Sequence, residues 1–173
     1  MALMLRRAAI FIFIILLWAL LAAAVAQAAT REVVPFAGFA PGTIVVKTSE
    51  RHLYLVLDRS RALRFPVGVG KQGMRWTGKA RVEGKYIRPA WEAPDEIRRE
   101  NPRLPKVIPG GAPNNPMGAA ALTLRGGEYA IHGTNRPSSI GGFVSHGCIR
   151  MYNRDIKALY AMVPVGTPVV VER

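Results

Sequence analysis

Three kinds of hydrophobic patterning follow one another along the chain. Ala8 to Val25 is an unbroken apolar run. Beyond it, Thr43-Ile44-Val45-Val46-Lys47, His52-Leu53-Tyr54-Leu55-Val56-Leu57 and Leu63 to Val69 are short β-branched or alternating runs separated by polar turns, the pattern of an antiparallel meander. Lys79 to Ile87, Ala121 to Leu124, Glu128 to His132 and Pro168 to Glu172 read as further strands. Only near the C-terminus does the period change: Ile156, Leu159, Tyr160 and Val163 recur at helical spacing, which predicts a helix over Asp155 to Met162. Asn153 stands in front as its cap, and Pro164 and Gly166 mark its end. Many short strands with one or two short helices predict a mainly β domain, a β-sandwich or partly open barrel.

Between Arg88 and Gly118 the pattern lapses. This stretch holds seven of the 13 prolines, few β-branched residues and the pair Gly110-Gly111. A long aperiodic segment inside a small domain is usually functional, such as a wall or lid over a site. Trp91, Ile97, Leu104, Val107, Ile108 and Met117 argue for an ordered excursion packed on the core, with a helical turn at Asp95 to Glu100. Trp76, Trp91 and Tyr86 could line a groove, but core packing is the expectation for each.

The apolar N-terminal run is preceded by Arg6-Arg7 and followed by Ala26-Gln27-Ala28, a small-x-small sequence, so residues 1–28 read as a signal peptide. The alternative is an uncleaved anchor, since the run approaches the roughly 20 residues that span a bilayer. Either way the remainder is expected outside the cytoplasm, in the periplasm or cell envelope, with 29–41 as a short linker and 42–173 as one domain. The net charge of +13 falls only to +11 without Arg6 and Arg7. That excess suits an anionic cell-envelope polymer or lipid. Nucleic acid is not expected, because the basic residues are scattered and not interleaved with aromatics. Membrane contact is expected only if the leader stays, and the protein is expected to be a monomer.

An exported protein with a single cysteine has a thiol with no intramolecular partner, either buried and inert or exposed and reactive. Its neighbours favour reactivity. Ser145-His146-Gly147-Cys148-Ile149-Arg150 offers a base and a cation two residues to either side of Cys148, on the same face of an extended backbone. Gly147 allows the chain to turn so that nearby amides converge on a substrate oxygen. A second patch, Ile131-His132-Gly133-Thr134, ends a predicted strand with another histidine. Either His132 or His146 could serve Cys148 as the base. A zinc site of His132, His146 and Cys148 lacks a fourth ligand at a familiar spacing, so no metal is expected. His52, with no cysteine nearby, reads as structural, and Asp155 as a helix N-terminal residue.

His132-Gly133, Gly141-Gly142 and Ser145 to Met151, with 16 residues from His132 to Cys148, resemble the active-site signature of the L,D-transpeptidase (YkuD-like) catalytic domain. Arg88-Pro89-Ala90-Trp91, Pro109-Gly110-Gly111 and Asn115-Pro116-Met117-Gly118 are similar to the segment that precedes it in the ErfK/YbiS-like branch. Glu92-Ala93-Pro94 departs from the two prolines common there. The resemblance, from about Gly42 to Val171, implies a β-sandwich-like catalytic domain acting on peptidoglycan stem peptides without a cofactor. It implies Cys148 as nucleophile and His132 as base, oriented by the Gly133 carbonyl. Amides around Gly147 and Cys148 would form the oxyanion hole, and Ser145, His146 and Arg150 would shape the substrate side. The acceptor is left open among a second stem peptide, water, a free D-amino acid and a lipoprotein lysine. Carbapenem sensitivity also follows from the resemblance. A papain-like hydrolase fits less well because its cysteine precedes its histidine in sequence. A non-catalytic basic wall-binding module leaves the flanked cysteine without purpose.

Overall fold

The computed structural model describes residues 31–126 and 129–173. The expected leader, 1–28, and the expected strand start at Glu128 lie outside them. The strands, in chain order, are β1 (Glu32–Pro35), β2 (Ile44–Lys47), β3 (His52–Val56), β4 (Arg61–Pro66), β5 (Val69–Gly70), β6 (Gly78–Ile87), β7 (Trp91–Glu92), β8 (Val107–Ile108), β9 (Ala120–Leu124), β10 (Ala130–His132), β11 (Phe143–Ser145), β12 (Ile149–Arg150) and β13 (Pro168–Glu172). Two helices, α1 (Asp95–Glu100) and α2 (Asn153–Met162), and a 3₁₀ turn at Pro137–Ser139 complete the elements. Nine strands form one sheet in the order β1-β4-β3-β2-β13-β6-β9-β10-β12, with β11-β5 and β7-β8 as separate pairs.

The predicted meander is β2, β3 and β4, each antiparallel to the next. Its run Ile44-Val45-Val46 is apolar at every position because both faces are covered. Ile44, Val46, Leu53 and Leu55 face the main core, whereas Val45, Tyr54, Val56 and Ala62 form a second cluster on the opposite face. The covering there comes from the segment expected to be a linker. Val34, Phe36 and Phe39 pack on it, Phe36 stacks on Tyr54 at 4.4 Å between ring centroids, and β1 pairs with β4. A free linker would have left that second apolar face in water, so residues 32–39 are part of the domain.

Strand β13 enters between β2, to which it is parallel, and β6, to which it is antiparallel. Strand β6 then carries the sheet on to β9 and β10. One core unites both halves, with Phe65, Leu53, Leu122, Ile131, Ile149 and Ile156 fully buried. Helix α2 closes it by packing on β9 and β10. Its Ile156 and Leu159 are buried as the helical spacing predicts, and Tyr160 is partly buried against the same core. Asn153 is not the cap. It is the first helical residue, behind Tyr152, and its side chain is committed elsewhere. Deleting a buried leucine side chain costs about 2–5 kcal/mol. Leu159→Ala should therefore destabilise the domain by about that amount in urea titration, while Met162→Ala, at a 43% exposed position on the same helix, should cost about 0.5 kcal/mol.

Candidate active site

Strands β10 and β12 are parallel neighbours, with Ile131 opposite Ile149 and His132 opposite Arg150. Alternation sends Ile131 and Ile149 into the core, so the other face carries His132 and Arg150, with Cys148 two residues before the arginine. His132, Cys148 and Arg150 line a cavity of about 470 Å³ with Ser145, His146 and Tyr129. Trp91, Pro94, Glu96, Ile97, Pro116 and Met117 of the aperiodic excursion supply the rest of its wall. Of the residues singled out around the cysteine, His132, Ser145, His146, Cys148 and Arg150 thus line one cavity, while Gly133 and Gly147 stand next to it in sequence but are not among its lining residues. His52 is not among the lining residues.

His132 is buried, and its Nδ1 lies 2.6 Å from the Gly133 carbonyl oxygen. A carbonyl can only accept, so Nδ1 carries the hydrogen and the Nε2 lone pair is left to act as a base. Burial lowers the ring's pKa to about 4, Arg150's charge pushes the same way, and the carbonyls of Gly133 and Pro116 oppose both. The turn after His132 is clamped by Asn153. Its Oδ1 accepts from the amides of Ala119 (3.0 Å) and Thr134 (3.1 Å), and its Nδ2 donates to the Thr134 carbonyl (3.0 Å). A Cβ on Gly133 would stand 2.2 Å from that Oδ1, so the clamp requires glycine there.

The Cys148 thiol is pushed up by burial, which outweighs a backbone hydrogen bond from Ala130 and the charge of Arg150. The charge of Arg150 favours the thiolate but does not outweigh that burial. The resting pair is a neutral thiol and a neutral imidazole.

The loop before Cys148 is braced from inside. The Ser145 hydroxyl donates to the Cys148 carbonyl (2.6 Å) and accepts from the Gly147 amide (3.1 Å). Of the two amides expected at an oxyanion hole, that of Gly147 is therefore engaged, and the hydroxyl of Ser145 is spent within the loop. Gly147 sits at φ 122°, and a Cβ there would come within 2.2 Å of the Tyr129 ring. Trp76 stacks on that ring at 5.0 Å and donates its indole N–H to the Gly147 carbonyl (3.1 Å).

His146 turns toward the excursion. Its Nε2 lies 3.1 Å from both Glu100 oxygens and 3.2 Å from Lys71 Nζ. A carboxylate only accepts, so the ring N–H goes to Glu100, and Lys71 is held by Glu100 at 3.5 Å. The His146 hydrogen bond, followed by the charges of His146 and Lys71, keeps the Glu100 carboxyl below its ordinary range. Arg150 contributes a buried Nε with no hydrogen-bond partner among the described residues.

A family model of the L,D-transpeptidase catalytic domain (YkuD) matches residues 41–171. The chain belongs to that family. YbiS of Escherichia coli K12, named a probable L,D-transpeptidase, is 43% identical over 135 residues, which are 73% of this chain and 43% of that protein. ErfK/SrfK of Salmonella typhimurium, named likewise, is 40% identical over 156 residues, 83% of this chain and 49% of that protein. The chain thus spans about half the length of these curated relatives. The catalytic domain of the E. faecium L,D-transpeptidase acylated by ertapenem shares the fold, with a TM-score of 0.58 and 22% identity over 78% of this chain and 98% of that one.

Within this L,D-transpeptidase domain, several side chains were not legible as site residues. Trp91, expected in the core, lines the cavity, whereas Tyr86 is 51% exposed and lies outside it. Tyr129, Glu100 and Lys71 carried no signal in the sequence, because their contacts join segments distant along the chain. Asn153, two residues beyond the signature, was a polar residue in plain view, but helix-capping accounted for it too readily.

The two shifts set the pH behaviour of the thiol. Iodoacetamide alkylation of Cys148, read by intact mass, should rise along one thiolate titration whose midpoint lies above that of an unburied thiol. A standing thiolate–imidazolium pair would instead give a reactive plateau between about pH 4 and 7. Arg150→Gln removes a charge that lowers the thiol pKa, so its midpoint should move further up and its alkylation at neutral pH should slow.

Proposed function

We propose that this domain is a peptidoglycan L,D-transpeptidase in which Cys148 is acylated by a stem-peptide donor. The observation that carries the reading is a half-buried thiol and a buried imidazole, whose Nδ1 is held by the Gly133 carbonyl, lining one cavity. His132 takes the thiol proton as sulfur adds to the carbonyl between diaminopimelate and the terminal D-alanine. The tetrahedral intermediate collapses with cleavage of the C–N bond, and the imidazolium returns the proton to the departing D-alanine amine. An acceptor amine then attacks the thioester, His132 takes its proton, and the thiol is regenerated as the new amide forms.

The Gly133 and Pro116 carbonyls support the imidazolium while it exists, although burial holds the resting ring neutral. Arg150, whose Nε has no hydrogen-bond partner among the described residues, suits a donor carboxylate, for which a guanidinium is well matched. No cofactor enters these steps. The reading places the domain outside the cytoplasm behind the leader at 1–28. It favours the side-chain amine of a second diaminopimelate as acceptor, with water or a lipoprotein lysine as alternatives served by the same thioester. The ertapenem adduct of the E. faecium relative supports acylation of this fold by a carbapenem.

Incubation of the purified protein with a diaminopimelate-containing tetrapeptide muropeptide should give an intact-mass adduct equal to the donor minus D-alanine. The adduct should be absent in Cys148→Ala, and His132→Ala should show at most slow acylation. Wild-type protein that forms no adduct and releases no D-alanine, while still binding wall material, would instead support a non-catalytic basic wall-binding module.

A further inference from the structure

We infer that Trp76 is a positioning residue that aims the Cys148 amide N–H at the reacting carbonyl oxygen. The inference rests on the acyl-transfer reading above and adds a residue to it. The indole N–H of Trp76 donates to the Gly147 carbonyl at 3.1 Å. That carbonyl belongs to the same peptide unit as the Cys148 N–H. The described chain has no cis peptide bond, and in a planar trans peptide C=O and N–H point in opposite directions. Fixing the oxygen on Trp76 therefore fixes the N–H on the other side. Cys148 lines the cavity and Trp76 does not, and it is the inference, not the lining itself, that sets the N–H held opposite the Trp76 bond on the side from which substrate approaches.

Two further observations make this one bond matter. Gly147 has no Cβ and sits at φ 122°, a conformation whose peptide plane is held by the groups around it and not by a side chain of its own. The Gly147 amide, the other candidate donor, is already engaged by Ser145, while the Cys148 amide has no hydrogen-bond acceptor among the described residues. Trp76 is itself held in plane by Tyr129, with rings 5.0 Å apart and 7° from parallel, and the Tyr129 ring occupies the space a Gly147 side chain would need. The stack and the hydrogen bond together hold one peptide plane at the nucleophile.

The test separates oxyanion stabilisation from thiol reactivity. Trp76→Phe keeps an aromatic ring on Tyr129 and removes the N–H. Replacing Trp76 with benzothienylalanine, in which sulfur stands for the N–H, does the same at constant volume if phenylalanine unsettles the fold. Acylation by ertapenem passes through a tetrahedral oxyanion, whereas alkylation by iodoacetamide is a displacement at carbon that forms none. The saturating ertapenem acylation rate should fall about 10–100-fold with its half-saturating concentration little changed, and the iodoacetamide rate should stay within about twofold of wild type. An ertapenem rate equal to wild type overturns the inference. So does an iodoacetamide rate that falls in step, because Trp76 would then act on the thiol and not on the amide. Wild-type protein that iodoacetamide alkylates but that forms no adduct with ertapenem or with the tetrapeptide donor would overturn the acyl-transfer reading itself.

Discussion

Strands β10 and β12 lie side by side and parallel, in a register that sets His132 against Arg150, and the geometry of the site follows from that pairing. Parallel neighbours cannot be joined by a tight turn and need a crossover of a dozen or more residues. Here residues 133–148 make the crossover, with a 3₁₀ turn at Pro137–Ser139 in place of the usual helix. The 16-residue step from histidine to cysteine is thus the length of chain needed to return to the same end of a parallel neighbour. Alternation does the rest, burying Ile131 and Ile149 and leaving His132, Cys148 and Arg150 on the side of the cavity. Strand β12 ends the nine-stranded sheet, yet its outer edge is not open. Gly68 exchanges both backbone hydrogen bonds with Arg150, at 2.9 and 2.8 Å, which holds the strand from its other side.

Burial beside that pairing decides the charge state of the site. An isolated thiolate or imidazolium at such depth is costly, and both groups respond by staying neutral, the thiol pushed up and the imidazole down to about 4. Arg150 favours the thiolate and disfavours the imidazolium, so its charge biases the pair toward the form in which the proton has left the active site. The carbonyls of Gly133 and Pro116 favour the imidazolium. In the proposed reaction the two influences meet only when the proton moves from sulfur to nitrogen, which would place the polar support of the site on the step of attack and not on the resting state.

The meander, helix α2 and the His and Cys patches were legible because each is written in a few consecutive residues. Local spacing reports Ile156 and Leu159 facing a core, and a His-Gly-Cys run reports a possible nucleophile whatever the fold. What was not legible depends on partners far away in the chain. Residues 32–39 look like a linker until the second apolar face of β2 and β3 needs Phe36 and Phe39 to cover it. Asn153 looks like a cap until the turns at Ala119 and Thr134 arrive to use it. Sequence shows that the charge of Arg150 lies near Cys148 but not how far the packing around the thiol offsets it.

The excursion between Arg88 and Gly118 completes the cavity with almost no core of its own, and its attachments are unequal in kind. At its base, buried Asn115 gathers the chain, with its Nδ2 within 2.9 to 3.2 Å of the Pro89, Ile108 and Pro109 carbonyls and its Oδ1 accepting from the Met117 amide at 2.8 Å. Losing Asn115 would take one partner from all three carbonyls, of which that of Ile108 is buried, so this end is the more firmly tied. At the far end, α1 is tied to the nucleophile loop through Glu100, His146 and Lys71, a cluster open to solvent and screened by salt. The wall is therefore firm beside Pro116 and Met117, next to His132, and yields most readily beside His146. In the proposed reaction, a groove stiff on the side of His132 and compliant on the side of His146 would hold the donor carbonyl in register with Cys148 while admitting acceptors of different bulk.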